Sequence, residues 1–226
     1  ERLFAAGRHR HPDEMAGLVR ITVPDLPDEH AVMRELLTAL QAYPKLVLDW
    51  RRDTVRLNVV QEQIDIGVRI DHLADSRLIA RKIGETCEKI VMAPDLLRRL
   101  GKPEDFADLQ KNYPLAAVLN HNNGRADTWY INENLQFTPT KPHFVGSHIH
   151  NALQAALAGN AVSQQLDWMV APYLLNGELV ELFAEVPKIR WPVSIYRPQR
   201  VVTPMRVKVV FDLLAEILGR RFELPS

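Results

Sequence analysis

Gly17-Leu18-Val19-Arg20-Ile21-Thr22-Val23-Pro24-Asp25-Leu26-Pro27-Asp28 is the stretch on which the fold turns. Its first half is short and β-branched, as a buried strand is, and it stops where two prolines withdraw backbone donors. A helix follows: Val32, Leu36, Leu37 and Leu40 recur at helical spacing within residues 29–43, and Pro44 closes the segment. Outward from there, residues 46–50 read as a second strand. Val55, Leu57, Val59 and Val60 read as a short helix, and Ile64-Asp65-Ile66-Gly67-Val68-Arg69-Ile70 as a third strand. Strand, helix, strand, helix, strand predicts a parallel sheet with crossover helices.

Beyond it, residues 79–93 are mostly extended, and Ile90-Val91-Met92 is placed to run between two lobes. Pro94 starts and Gly101 ends a helix over residues 95–100, after which Pro103-Glu104-Asp105-Phe106 begins another turn. Short strands are expected at 115–119, 128–131, 135–138 and 144–145. Ser147 is a natural N-cap for an alanine-rich helix over 148–158, which Gly159 ends. Short helices at 165–170 and 172–175 precede a strand at 179–183. A last strand at 193–197 and a last helix at 205–218 complete the chain. A sheet left near residue 92 and rejoined near residue 191 implies an inserted second lobe. The domain expectation is an end of a linker at 1–17, a first lobe at 18–91 plus 191–226, and a second at 92–190.

Composition narrows the function. Lys plus Arg and Asp plus Glu both number 28, so the formal charge is zero and the positive field of a phosphate-gripping domain is missing. This stretch alone should bind DNA poorly. A single cysteine, Cys87, cannot form an internal disulfide, which fits a reducing cytoplasm. No signal peptide or membrane span is legible. A first residue of Glu1 rather than Met reads as a fragment whose upstream part is missing.

Several phrases together resemble the effector-binding domain of LysR-type transcriptional regulators. They are the opening Gly17–Pro24 phrase, Tyr43-Pro44 with Leu46-Val47-Leu48-Asp49, the Ile64–Ile70 run, and Asp75-Ser76-Arg77-Leu78-Ile79-Ala80-Arg81-Lys82-Ile83-Gly84. Ile90-Val91-Met92-Ala93-Pro94, Asp167-Trp168-Met169-Val170-Ala171-Pro172 and Gly177-Glu178-Leu179-Val180 continue the series. The resemblance runs from about Met15 to Phe222 and departs at Ser147-His148, Asn160-Ala161 and Leu166. It implies an α/β fold of two Rossmann-like lobes joined by a two-strand hinge, like a type II periplasmic binding protein. It also implies a winged helix-turn-helix upstream, a homodimer or homotetramer, a cytoplasmic location, no membrane, and a small-molecule effector held between the lobes. An extracytoplasmic solute-binding protein of a transporter is the alternative on the same fold, distinguished by what precedes the domain.

In open α/β sheets ligands sit beyond the carboxyl ends of strands, where helix N-termini offer backbone N–H groups. That places Pro24, Asp25 and Leu26 at a candidate effector site. Asp25, Asp28 and Glu29 there favour a cation, hydroxyl or amine, although Asp28 also reads as an N-cap. Arg69 and Asp71 end the third strand on the same side. In the second lobe, Ser147 and His148 form a donor-rich corner suited to a carboxylate, with capping as the plain reading of Ser147. Asn120 and His121 stand near a strand end, whereas Asn123 and Gly124 read as turn chemistry. Trp129 is either packing or a ligand-stacking ring. The effector class expected from these groups is a small polar or anionic metabolite.

Catalysis and metals find no footing. There is no Gly-x-Ser-x-Gly elbow, no phosphate loop, and no His-x-x-x-His pair among eight histidines, so neither an enzyme nor a metal or other cofactor is expected.

Overall fold

The structure, a computed structural model, describes residues 15–52, 63–73, 77–120 and 123–222. Along the chain the elements are β1 (Gly17–Val23), α1 (Glu29–Ala39), β2 (Leu46–Arg52), β3 (Ile66–Ile70), β4 (Leu78–Thr86), β5 (Glu88–Met92), α2 (Pro94–Leu100), α3 (Phe106–Asn112) and β6 (Leu115–Val118). There follow β7 (Trp129–Asn132), β8 (Leu135–Phe137), β9 (Phe144–Gly146), α4 (Ile149–Leu157), β10 (Val162–Leu166), α5 (Asp167–Leu175), β11 (Val180–Leu182), β12 (Trp191–Pro198) and α6 (Met205–Phe222). Contacts divide the chain into two units, one ending at Glu85 and resuming at Trp191, the other spanning Thr86–Arg190.

The first unit is built on a sheet of order β2-β1-β3-β12-β4. β1 runs parallel to β2 from Gly17 beside Leu46 to Val23 beside Arg52, and parallel to β3 with Ile21 beside Ile66. β12 returns antiparallel on β3, Val193 beside Ile70 and Tyr196 beside Gly67. Alternation along β1 does what a pleat requires: Val19, Ile21 and Val23 are fully buried while Leu18 stays 43 % exposed. α1 and α6 pack on one another, and the residues buried on them include Val32 and Leu36 on the first and Val207, Val210, Phe211, Leu214 and Leu218 on the second. Each fully buried aliphatic side chain here contributes about 1.5–3 kcal/mol. Glu35 ties the two helices by ion pairs to Arg220 and, at 3.2 Å, to Arg221. The helix expected at 55–60 lies outside the described residues.

In the second unit the sheet order is β11-β5-β10-β6-β9, with a separate β7–β8 hairpin. β10 is antiparallel to β5 and parallel to β6, which is parallel to β9. Neighbouring residues of β5 face opposite layers. Ile90 and Met92 join Leu96, Leu109, Leu115 and Leu182 on one side, and Val91 joins Leu153, Ala156, Met169 and Leu179 on the other. Ala116 meets Ala152, Ala155 and Ala161, small residues that let α4 lie close on the sheet.

Three expectations need correcting. A helix was expected to begin at 165, yet β10 occupies Val162–Leu166. Residues 162–165 are all buried, so this central strand shows no alternation, and its Ser-Gln-Gln core hides it. The two short helices then merge into α5, which continues through Pro172. Finally, β5 pairs with both β10 and β11, so the first crossing falls at Glu85–Thr86 rather than near residue 92.

Candidate functional site

The parallel register brings three strand ends together in the first unit. Val23 lies beside Arg52, and extending the β1–β3 pairing sets Arg69 abreast of Pro24. The loop between β1 and α1 then turns sharply. Asp28 takes a left-handed conformation (φ 49°, ψ 38°) as N-cap of α1, where its carbonyl accepts from Ala31 and Val32 at 2.8 and 3.0 Å. Its side chain makes no capping bond, so the expected cap is one of position and backbone only. Leu26 is anchored in the core at 5 % exposure. Asp25 is 7 % exposed, an ionisable group held at the carboxyl end of β1.

Arg52 answers that charge. Its Nη1 stands 3.3 Å from Asp25 Oδ1, and its Nη2 donates to Glu29 at the first turn of α1. The other Glu29 oxygen accepts from Trp50 Nε1 at 3.0 Å. A guanidinium and an indole therefore fix two carboxylates, while Glu29 also favours the positive end of the helix dipole. Nearby, Arg69 and Asp71 approach to 4.0 Å, and Asp71 Oδ1 accepts from His72 N at 2.7 Å. The corner is thus acid-rich with internal cations. It suits a ligand that offers donors, or one that exchanges with Arg52 for the carboxylates. Arg52 and Trp50 were not among the expected site residues. Counting β2 two residues further, to Arg52, would have found the first of them.

The second unit distributes its candidates differently. Asn120 is folded into its own turn: its backbone N–H donates to Arg125 O at 2.7 Å, and its Nδ2 to Asp127 Oδ1 at 2.8 Å. His121 lies outside the described residues. Trp129 is 4 % exposed within the core, its ring 5.3 Å from Phe137. Ser147 and His148 are both exposed, immediately after β9. The N-cap of α4 is His148 rather than Ser147, and it makes no side-chain cap. Gly146 is required just before them, since a Cβ there would come 2.7 Å from Asn151 Cβ. That contact packs the β9 end against the first turn of α4.

One polar group escaped the sequence reading altogether. Gln165, fully buried on β10, donates its Nε2 to Ser163 Oγ at 2.7 Å and to Ile149 O at 3.2 Å, leaving Oε1 without a hydrogen-bond partner among the described residues. Among those residues, too, no three His, Cys, Asp or Glu side chains gather to hold a metal, and no helix is long and apolar enough to cross a membrane.

Comparison with known proteins adds the following. A family model described as the LysR substrate binding domain matches residues 12–219. The HTH-type transcriptional regulator CrgA of Neisseria meningitidis is 26 % identical over 183 residues, covering 79 % of this chain and 60 % of CrgA. The HTH-type transcriptional activator TtdR of Escherichia coli is 22 % identical over 192 residues, covering 83 % and 60 % respectively. The chain therefore spans about 60 % of the length of these relatives. Among solved structures, the CrgA regulatory domain superposes with a TM-score of 0.71 at 21 % identity, over 90 % of this chain and all of that one. The full-length virulence activator AphB of Vibrio cholerae gives 0.70 at 19 %, over 89 % of this chain and 69 % of AphB. Both share the fold of LysR regulatory domains.

Proposed function

Because the chain belongs to the LysR substrate binding domain family, we propose that it is the effector-sensing part of a DNA-binding transcriptional regulator. The family match over residues 12–219 carries this reading. The relatives named above are a regulator and an activator, which favours control of transcription over delivery of a solute to a transporter. They also extend well beyond the matched stretch, and a DNA-reading domain in that remainder fits the zero net charge found here. On this reading the protein works in the cytoplasm as a homodimer or homotetramer. It turns nothing over and binds a small polar or anionic metabolite. The effector acts by its differential affinity for two arrangements of the regulator.

The groups assigned to it in the first unit are Pro24, Asp25, Arg69 and Asp71, with Arg52 and Glu29 beside Asp25; Ser147 and His148 are separate candidates in the second unit. The acid-rich corner around Asp25 favours an effector that brings hydrogen-bond donors, a hydroxyl or an amine.

A melting-temperature screen with hydroxy acids, amino acids and simple carboxylates tests this, because a ligand that binds only the folded form must raise the midpoint. At least one hydroxy or amino acid is expected to raise it by several degrees, with the shift lost in Asp25→Asn. A flat screen, or a response that Asp25→Asn and His148→Ala both leave intact, overturns the assignment.

A further inference from the structure

At the opposite end of the first unit's strands lies another hollow, part charged and part apolar, and we propose that it is a binding site for a small organic anion whose carboxylate meets Arg200. Its volume is about 500 Å³, inside the range of roughly 300–1,000 Å³ typical of small-molecule sites. None of the residues around Asp25 lines it, so it is a site separate from the effector corner.

Three strands converge on it. Leu18 and Arg20 project from the same face of β1, two residues apart. Asp65, just before β3, is gripped by the backbone of Arg20: the Arg20 N–H donates to Asp65 Oδ2 and the Asp65 N–H to Arg20 O, both at 3.0 Å. Extending the β3–β12 register from Tyr196 beside Gly67 sets Pro198 abreast of Asp65. The loop after Pro198 then delivers Gln199 and Arg200 to the rim.

The charges decide what fits. Asp65 has both oxygens engaged, Oδ2 by the Arg20 backbone and Oδ1 by Arg200 Nη1 at 3.0 Å. Asp49, beside Arg20 on the next strand, accepts from Arg20 Nε at 2.7 Å and from Arg51 at 2.9 and 3.0 Å. Those hydrogen bonds, Arg51 first and then Arg20, hold its carboxyl at about 2, so it is ionised at neutral pH. Arg206 donates to Leu18 O at 3.1 Å. Among the described residues, the charged side chains lining the hollow are Arg20, Arg200 and the committed Asp65, an excess of positive charge that favours an anion over a cation. Arg200 is 40 % exposed, and its planar fork suits a carboxylate gripped by two N–H groups. Leu18 and Pro198 supply apolar walls, and the amides of Gln63 and Gln199 offer a donor and an acceptor. The ligand class is a compact apolar body bearing one carboxylate.

Cyclohexanecarboxylate is the probe and cyclohexylmethanol its uncharged counterpart, with amide chemical shifts followed on the whole chain. Millimolar binding of the carboxylate is expected, with shifts at Leu18, Gln63 and Gln199. Arg200→Gln should weaken it at least fivefold, and Gln199→Glu, which sets a carboxylate at the rim, should do the same independently. Asp25→Asn should leave it unchanged, so failure of the effector reading and failure of this one are distinguishable. Absent shifts, shifts that survive both rim variants, or equal binding of the alcohol would overturn the site.

Discussion

Arg52 Nη1 stands 3.3 Å from Asp25 Oδ1 while the same guanidinium holds Glu29, so one cation at the end of β2 secures both acids at the mouth of α1. Leaving a buried carboxylate without its cation costs about 1–3 kcal/mol, and because Arg52 is itself 43 % exposed the lower end applies. Arg52→Ala is therefore expected to lower stability by about 1 kcal/mol in urea titration. The double variant with Asp25→Asn should lose less than the two single changes summed, and strict additivity would show that the pair does not couple.

A second expectation concerns Gly67 on β3. A Cβ there would lie 2.2 Å from Tyr196 Cζ on the neighbouring strand, and Tyr196 is 7 % exposed with little room to withdraw. Gly67→Ala should cost about 3 kcal/mol or more by overpacking. Combining it with Tyr196→Ala should recover part of the loss, read from denaturation midpoints.

Cys87 gives a pH dependence with a definite sign. Burial, then the charge of Asp167 and the hydrogen bond to it, push the thiol from 9.0 up to about 11. In the unfolded chain the thiol ionises first, so its contribution is fully present below pH 9 and falls as pH rises toward 11. Cys87→Ala should flatten that alkaline decline in stability. The same argument predicts slow reaction with a disulfide reagent at neutral pH in the native protein and fast reaction in urea.

Trp129 distinguishes packing from recognition. Buried among Leu115, Ile131 and Val162, it should cost about 3–5 kcal/mol when cut to alanine. Trp129→Phe should keep the fold and leave ligand response unchanged. An altered response in a well-folded Trp129→Phe protein would return the ring to the binding groups.

Much of the architecture was legible because its causes are local. The β-branched alternation of residues 18–23, the proline stops at 24 and 27, and the helical spacing of Val32 and Leu36 each act within a few residues, and each element stands where they predict. β10 was not legible, because a strand buried on both faces carries no period, and Gln164 and Gln165 mimic a surface helix. Site geometry suffered for a related reason. Arg52 becomes a partner of Asp25 only through the β1–β2 register, a relation between residues far apart in sequence. Asn120 and Trp129 show the converse: side chains with binding chemistry that a nearby turn and a core had already engaged.

The first unit is discontinuous, since its sheet needs β12 on the flank of β3 after more than a hundred intervening residues. On the ribosome, Thr86–Arg190 emerges whole and can close while β3 still presents an unsatisfied backbone edge. The nascent protein must keep that edge from its neighbours until the Trp191 strand arrives. A message cut short just before it would therefore yield a sound second unit attached to a strand primed for aggregation.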